Sequence, residues 1–120
     1  CEAPDPDAVL VSYPGVCQLA DLPGLKLEIC AMERGRGGGA GRRVTIDPGT
    51  IDGARLLLAS TQGQAHRVYL RDGIFCEVTL CRRKGRWESF FYTCPDFKSG
   101  VYDAWLELVR EDWKREVREI

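Results

Sequence analysis

Six cysteines in a chain of 120 residues constrain this sequence more than any other feature. They stand at Cys1, Cys17, Cys30, Cys76, Cys81 and Cys94. An even count in a short chain reads as a disulfide framework. Metal ligation fits poorly, because no pair has C-x-x-C spacing and His66 is the only histidine. No metal and no cofactor is therefore expected. Three bridges imply an oxidising compartment and a secreted, extracellular domain. Each bridge would contribute roughly 2–4 kcal/mol, mainly by restricting the unfolded chain. The opening CEAPDPDA reads as a processed start with a signal peptide removed. A lipidated Cys1 would leave an odd number of cysteines. No apolar run is long enough for a transmembrane segment.

The length suits one domain over residues 1–120. A formal net charge of −1 supplies no global field for nucleic acid or anionic membrane, so nucleic acid is not an expected partner. Polyanion binding would need local patches. Residues 1–8 are rich in Pro and Asp and read as an extended segment. Val9 to Tyr13 suggests a short strand, and Pro14-Gly15 and Pro23-Gly24 suggest turns. LKLEICAM, residues 25–32, alternates and predicts a strand, with Leu25, Leu27, Ile29 and Ala31 on one face and Cys30 on the other. The segment 34–43, RGRGGGAGRR, predicts a flexible Gly/Arg loop. Arg43 to Ile46, Ala54 to Ala59 and His66 to Arg71 are further strand candidates, with a turn at Asp47-Pro48-Gly49.

The clearest unit is a hairpin across residues 74–94. A three-residue loop at Arg83-Lys84-Gly85 would pair Arg82 with Arg86. That register sets Ile74, Cys76, Val78 and Leu80 on the face of Phe90, Tyr92 and Cys94, and turns Trp87 and Phe91 away. Cys76 and Cys81 then face opposite sides, and Cys76 and Cys94 sit too far apart to bridge easily. The hairpin cysteines should reach back to Cys1, Cys17 and Cys30. Fifteen connectivities are possible, and Cys30 with Cys81 is the pairing chosen. Residues 100–120 predict an amphipathic helix with Trp105, Leu106, Val109 and Trp113 on its apolar side. Ser99 is its expected N-cap, and Glu111 with Arg115 an i,i+4 pair. The predicted fold is α+β: a disulfide-stabilised antiparallel sheet of about five to seven short strands with one C-terminal helix packed on it.

Candidate binding residues fall in three groups. Arg34, Arg36, Arg42 and Arg43 occupy the Gly-rich loop, and Arg82, Arg83, Lys84 and Arg86 the hairpin tip. Both could grip a sulfated or phosphorylated polymer such as a glycosaminoglycan. Trp87 and Phe91 offer aromatic contact surface. No catalytic residue is assigned. His66 could still pair with a carboxylate such as Glu77 or Glu88 for acid–base work. The stretch RDGIFCEV resembles the D-x-G-x-Y-x-C strand of an immunoglobulin-like domain, with Ile74 at the tyrosine position. The order hairpin, cysteine, amphipathic helix is similar to a chemokine-like fold, without near-adjacent N-terminal cysteines. Fold analogy on this scale transfers no function.

The expected function is that of an extracellular binding protein recognising a protein partner at the cell surface, in the manner of a host-directed factor of a pathogen. A small secreted hydrolase or ribonuclease using His66 and a polyanion-binding module are the alternatives.

Overall fold

A computed structural model of the chain describes residues 9–13, 15–36 and 47–118. A 3-10 turn, Leu19–Asp21, runs into helix α1, Leu22–Arg36. Five strands follow: β1 Gly49–Ile51, β2 Arg55–Ser60, β3 Arg67–Arg71, β4 Ile74–Arg83 and β5 Arg86–Ser89. The short helix α2, Pro95–Lys98, and the long helix α3, Asp103–Arg118, close the chain. The five strands form one antiparallel sheet in the order β1-β2-β4-β3, and β5 also pairs with β4. The α+β class, the strand count and the C-terminal helix are as expected.

The disulfide framework is not. Cys17, Cys30, Cys76 and Cys81 form no disulfide. Cys1 lies outside the described residues, and of the described cysteines only Cys94 is not among the free ones. The Cys30–Cys81 bridge assumed that both residues lie on strands, whereas Cys30 is helical. Cys76 is buried, where a thiol packs as a small side chain. Four cysteines outside any bridge overturn the three-disulfide framework on which the expectation of a secreted, host-directed protein rested.

The segment 25–32 is the second correction. Alternation predicts a strand there, but α1 spans it. Leu22, Lys26 and Ile29 are buried, at the four-and-three spacing of a helix, while Leu25 and Leu27 are exposed. Pro23 sits in the first turn, where its missing N–H costs no hydrogen bond. Arg34 and Arg36 belong to this helix, so the Gly/Arg loop begins later than expected. Residues 37–46, including Arg42, Arg43 and the strand expected at 43–46, lie outside the described residues, as do 1–8. Residues 9–13 form no strand, and Gly49, read as part of a turn, opens β1.

The chain separates into two compact units: Cys1–Cys17, Ile51–Leu57 and Val78–Ile120 in the first, Gln18–Thr50 and Leu58–Glu77 in the second. The second unit has a core of Leu22, Ala59 and Ile74. Its hairpin joins β3 to the start of β4, with Arg71 opposite Ile74. The two loop residues, Asp72 and Gly73, have φ of 52° and 80°. Asp-Gly with both φ positive is the turn whose twist matches the flanking strands.

The first unit holds the β4–β5 hairpin, and its register differs by one residue from the expected one. Arg83 pairs with Arg86, and Arg82 with Trp87. Lys84 as well as Gly85 takes positive φ, so the loop has two residues, not three. Paired residues share a face, so Trp87 lies on the side of Leu80 and Arg82. There it is buried, as are Leu80 and the α3 residue Leu106. β5 ends at Ser89. Phe90 N–H donates to Thr93 Oγ1 at 2.8 Å, and Thr93 Oγ1–H donates to the Thr79 carbonyl at 2.8 Å, so the chain turns back there. Ser99 caps the C-terminus of α2, not the start of α3. Arg115 pairs with Asp112, and Glu111 with Lys114 and Arg110, so the expected Glu111–Arg115 pair is not formed.

Candidate functional site

Two polar clusters and one groove hold most of the chemistry among the described residues. In the second unit, β4 places Glu77 opposite Arg67 of β3. Glu77 Oε2 accepts from Arg67 Nε at 2.9 Å and lies 2.9 Å from His66 Nε2. The Arg67 guanidinium also donates to Ser60 Oγ at 3.1 Å and to the Gln62 carbonyl at 2.9 Å. The Glu77 side chain is 8% exposed. A carboxylate so deep is tolerable only because two cationic or donor groups meet it. The His66–Glu77 pairing is one of the two named from the sequence. Arg67, which completes the cluster, carried no signal beyond its place beside His66. Arg67 and the Gln62 backbone engage the Ser60 hydroxyl. The arrangement therefore works as a clamp that fixes the start of β3 to β4 and to the loop after β2.

In the first unit, Glu107 of α3 accepts from Arg82 at 2.6 and 3.3 Å. The Arg82 hydrogen bond holds the Glu107 carboxyl below its ordinary range, although partial burial acts the other way. Trp87 lies close enough to help keep that carboxylate ionised, but its buried Nε1–H makes no regular hydrogen bond. Asp103, one turn before Glu107, is pushed up by burial and by the Glu107 charge. Arg110 Nε donates to the Gly53 carbonyl, and the Trp113 ring lies so close to Gly53 that a Cβ there would be 3.0 Å from it. These contacts seat α3.

One residue of the expected basic patches is tied into the fold. Arg82 is committed to Glu107, and Arg83 lies 3.7 Å from Glu88. Lys84 and Arg86 are exposed. Arg34 and Arg36 are in α1, and Arg42 and Arg43 lie outside the described residues. The two aromatic candidates part company: Trp87 is buried in the core, while Phe91 is 88% exposed. No group of three or more His, Cys, Asp or Glu among the described residues could hold a metal ion.

The groove was not anticipated. It has a volume of about 300 Å³ and lies in the second unit, lined by Leu19 and Ala20 of the 3-10 turn, Pro23 of α1, and Tyr69, Leu70 and Arg71 of β3. Tyr69, on its wall, is 57% exposed. The Tyr69 ring leans edge-on against Phe75, and its hydroxyl accepts from Gly73 N–H at 3.1 Å, so this aromatic is held in place. The only sequence hint was the run of apolar residues at 68–70. Its partner wall, some fifty residues earlier, was hidden by reading Pro23-Gly24 as a turn.

The fold and these features define a small α+β protein built on an antiparallel sheet, with an apolar groove beside a terminal strand. The chain belongs to the family described as Domain of unknown function (DUF4416), whose model matches residues 3–113. No curated protein and no solved structure shows significant similarity to it. No described helix is long and apolar enough to cross a membrane.

Proposed function

We propose that the chain is a binding domain that recognises a protein partner, and that the contact surface is the groove beside β3. One observation carries this reading: an open, mostly apolar groove edged by the exposed Tyr69. Contiguous exposed apolar surface marks interaction sites more often than isolated exposed residues do. A held tyrosine at its edge is the kind of anchor that protein contacts favour. The test compares proteins captured by the intact chain and by Ala20→Trp, which fills the groove from an exposed position. A partner lost with Ala20→Trp supports the reading. Capture unchanged by the substitution contradicts it.

The His66–Glu77 contact favours a second reading, a hydrolase or ribonuclease using His66 as acid or base. Activity on an RNA or ester panel that disappears with His66→Ala would establish it. Unaltered or undetectable turnover would remove it. The polyanion reading is weaker, because Arg82 and Arg83 already have carboxylate partners.

A further inference from the structure

We propose that residues 9–13 form an antiparallel strand pair with the same residues of a second copy of this chain, so that the protein self-associates through a two-fold contact centred on Val11. This is independent of the groove and of the reading built on it.

The starting point is the segment VLVSY. Valine and tyrosine favour the pleated, half-buried surface of a strand. The segment holds no charge, no glycine and no proline, and Pro14 follows it. It has the composition of a strand, yet among the described residues it forms none. Its large side chains are not spent on the core either: Val9 is 80% exposed, Val11 63% and Tyr13 86%. These three stand two residues apart, the spacing that puts side chains on one face of a strand. Leu10, between them, is half-buried. The end of the segment is anchored within the first unit, because Gly15 N–H donates to Glu116 Oε2 of α3 at 3.1 Å.

A second copy is the occupant these residues favour. Exposed segments of high β-propensity and no charge pair with their own kind, since identical segments meet without opposed charges. Antiparallel pairing about Val11 sets Val11 against Val11, and Val9 against Tyr13 twice by symmetry. A β-branched residue opposite an aromatic one is a favourable cross-strand pair. A two-fold contact is satisfied by two copies, so it closes as a dimer and does not continue into a fibre. Five residues a side fall well short of a standard interface, so the dimer is weak and forms only as concentration rises.

Sedimentation equilibrium of the full chain tests this, run in reductant so that the exposed Cys17 cannot cross-link copies. The unaltered chain should pass from monomer toward dimer as its concentration rises to about 1 mM. Val11→Lys sets two like charges against each other and should weaken the dimer about tenfold. Val9→Lys and Tyr13→Glu should each weaken it alone. Combined, they should restore it, because the antiparallel register brings the new charges, opposite in sign, face to face. A substitution that merely spoiled folding would not be rescued in this way, and a parallel pairing would set like charges together. A chain that stays monomeric throughout would overturn the proposal. So would a dimer indifferent to Val11→Lys, or a double substitution no better than either single one.

Discussion

Glu77 and Glu107 each receive an arginine, yet they do so in opposite surroundings. Glu77 is 8% exposed and takes both Arg67 and His66, whereas Glu107 is 37% exposed and takes Arg82. A buried ion pair is costly to break, because the partner left behind has lost its water. A pair near the surface loses little, since solvent replaces what is removed. The second unit therefore depends on its polar clamp. The first depends on apolar packing around Leu106 and Leu80, with the Arg82–Glu107 pair as an accessory.

The largest expected effect follows from this difference. Glu77→Ala should cost about 3–5 kcal/mol in denaturant unfolding, leaving His66 and Arg67 without their carboxylate. A loss no greater than that of Glu107→Ala would erase the contrast. Leu106→Ala comes next, at about 2–5 kcal/mol, because a fully buried leucine leaves a cavity. Glu107→Gln should cost only about 0.2–1 kcal/mol, and salt should shrink that cost.

The smallest effects are those of pH. Glu107 has a lowered folded pKa, so its contribution is present above its unfolded pKa and is lost as pH falls through the folded one. Asp103 has a raised folded pKa, so its ionisation opposes folding as pH rises through the unfolded and then the folded value. At neutral pH Asp103→Asn should thus raise stability slightly, while Glu107→Gln lowers it. Thermal melts should show the two substitutions shifting in opposite directions at neutral pH, with both shifts fading at acid pH, and neutral-pH shifts of the same sign would sink the assignment.

Where side chains followed one clear period, the sequence could be read. Arg55–Ser60, Arg67–Arg71, the long strand from Ile74 and the helix ending at Arg118 were all visible as apolar patterns. Helix α1 was not, because LKLEICAM alternates by composition while its burial follows Leu22, Lys26 and Ile29. The hairpin register slipped because Lys84 accepts a left-handed conformation that sequence reserves for glycine and asparagine. That single residue decides whether Trp87 enters the core or faces away. The cysteine count misled for a different reason: an even number says nothing of whether the thiols meet. Of the polar clamp, the His66–Glu77 half was legible as a possible acid–base pair. The groove was not legible, since its two walls are distant in sequence.

The proposal that unites these observations is that the clamp fixes β3 so that the groove beside it can receive a protein partner. Backbone amide NMR of the full chain, titrated with a partner captured by it, tests this most directly. The account predicts shift changes concentrated at residues 67–71 and 19–23, with the Tyr69 amide among the most affected. Changes confined to the hairpin tip at 83–86 or to α3, with 67–71 unmoved, would contradict it.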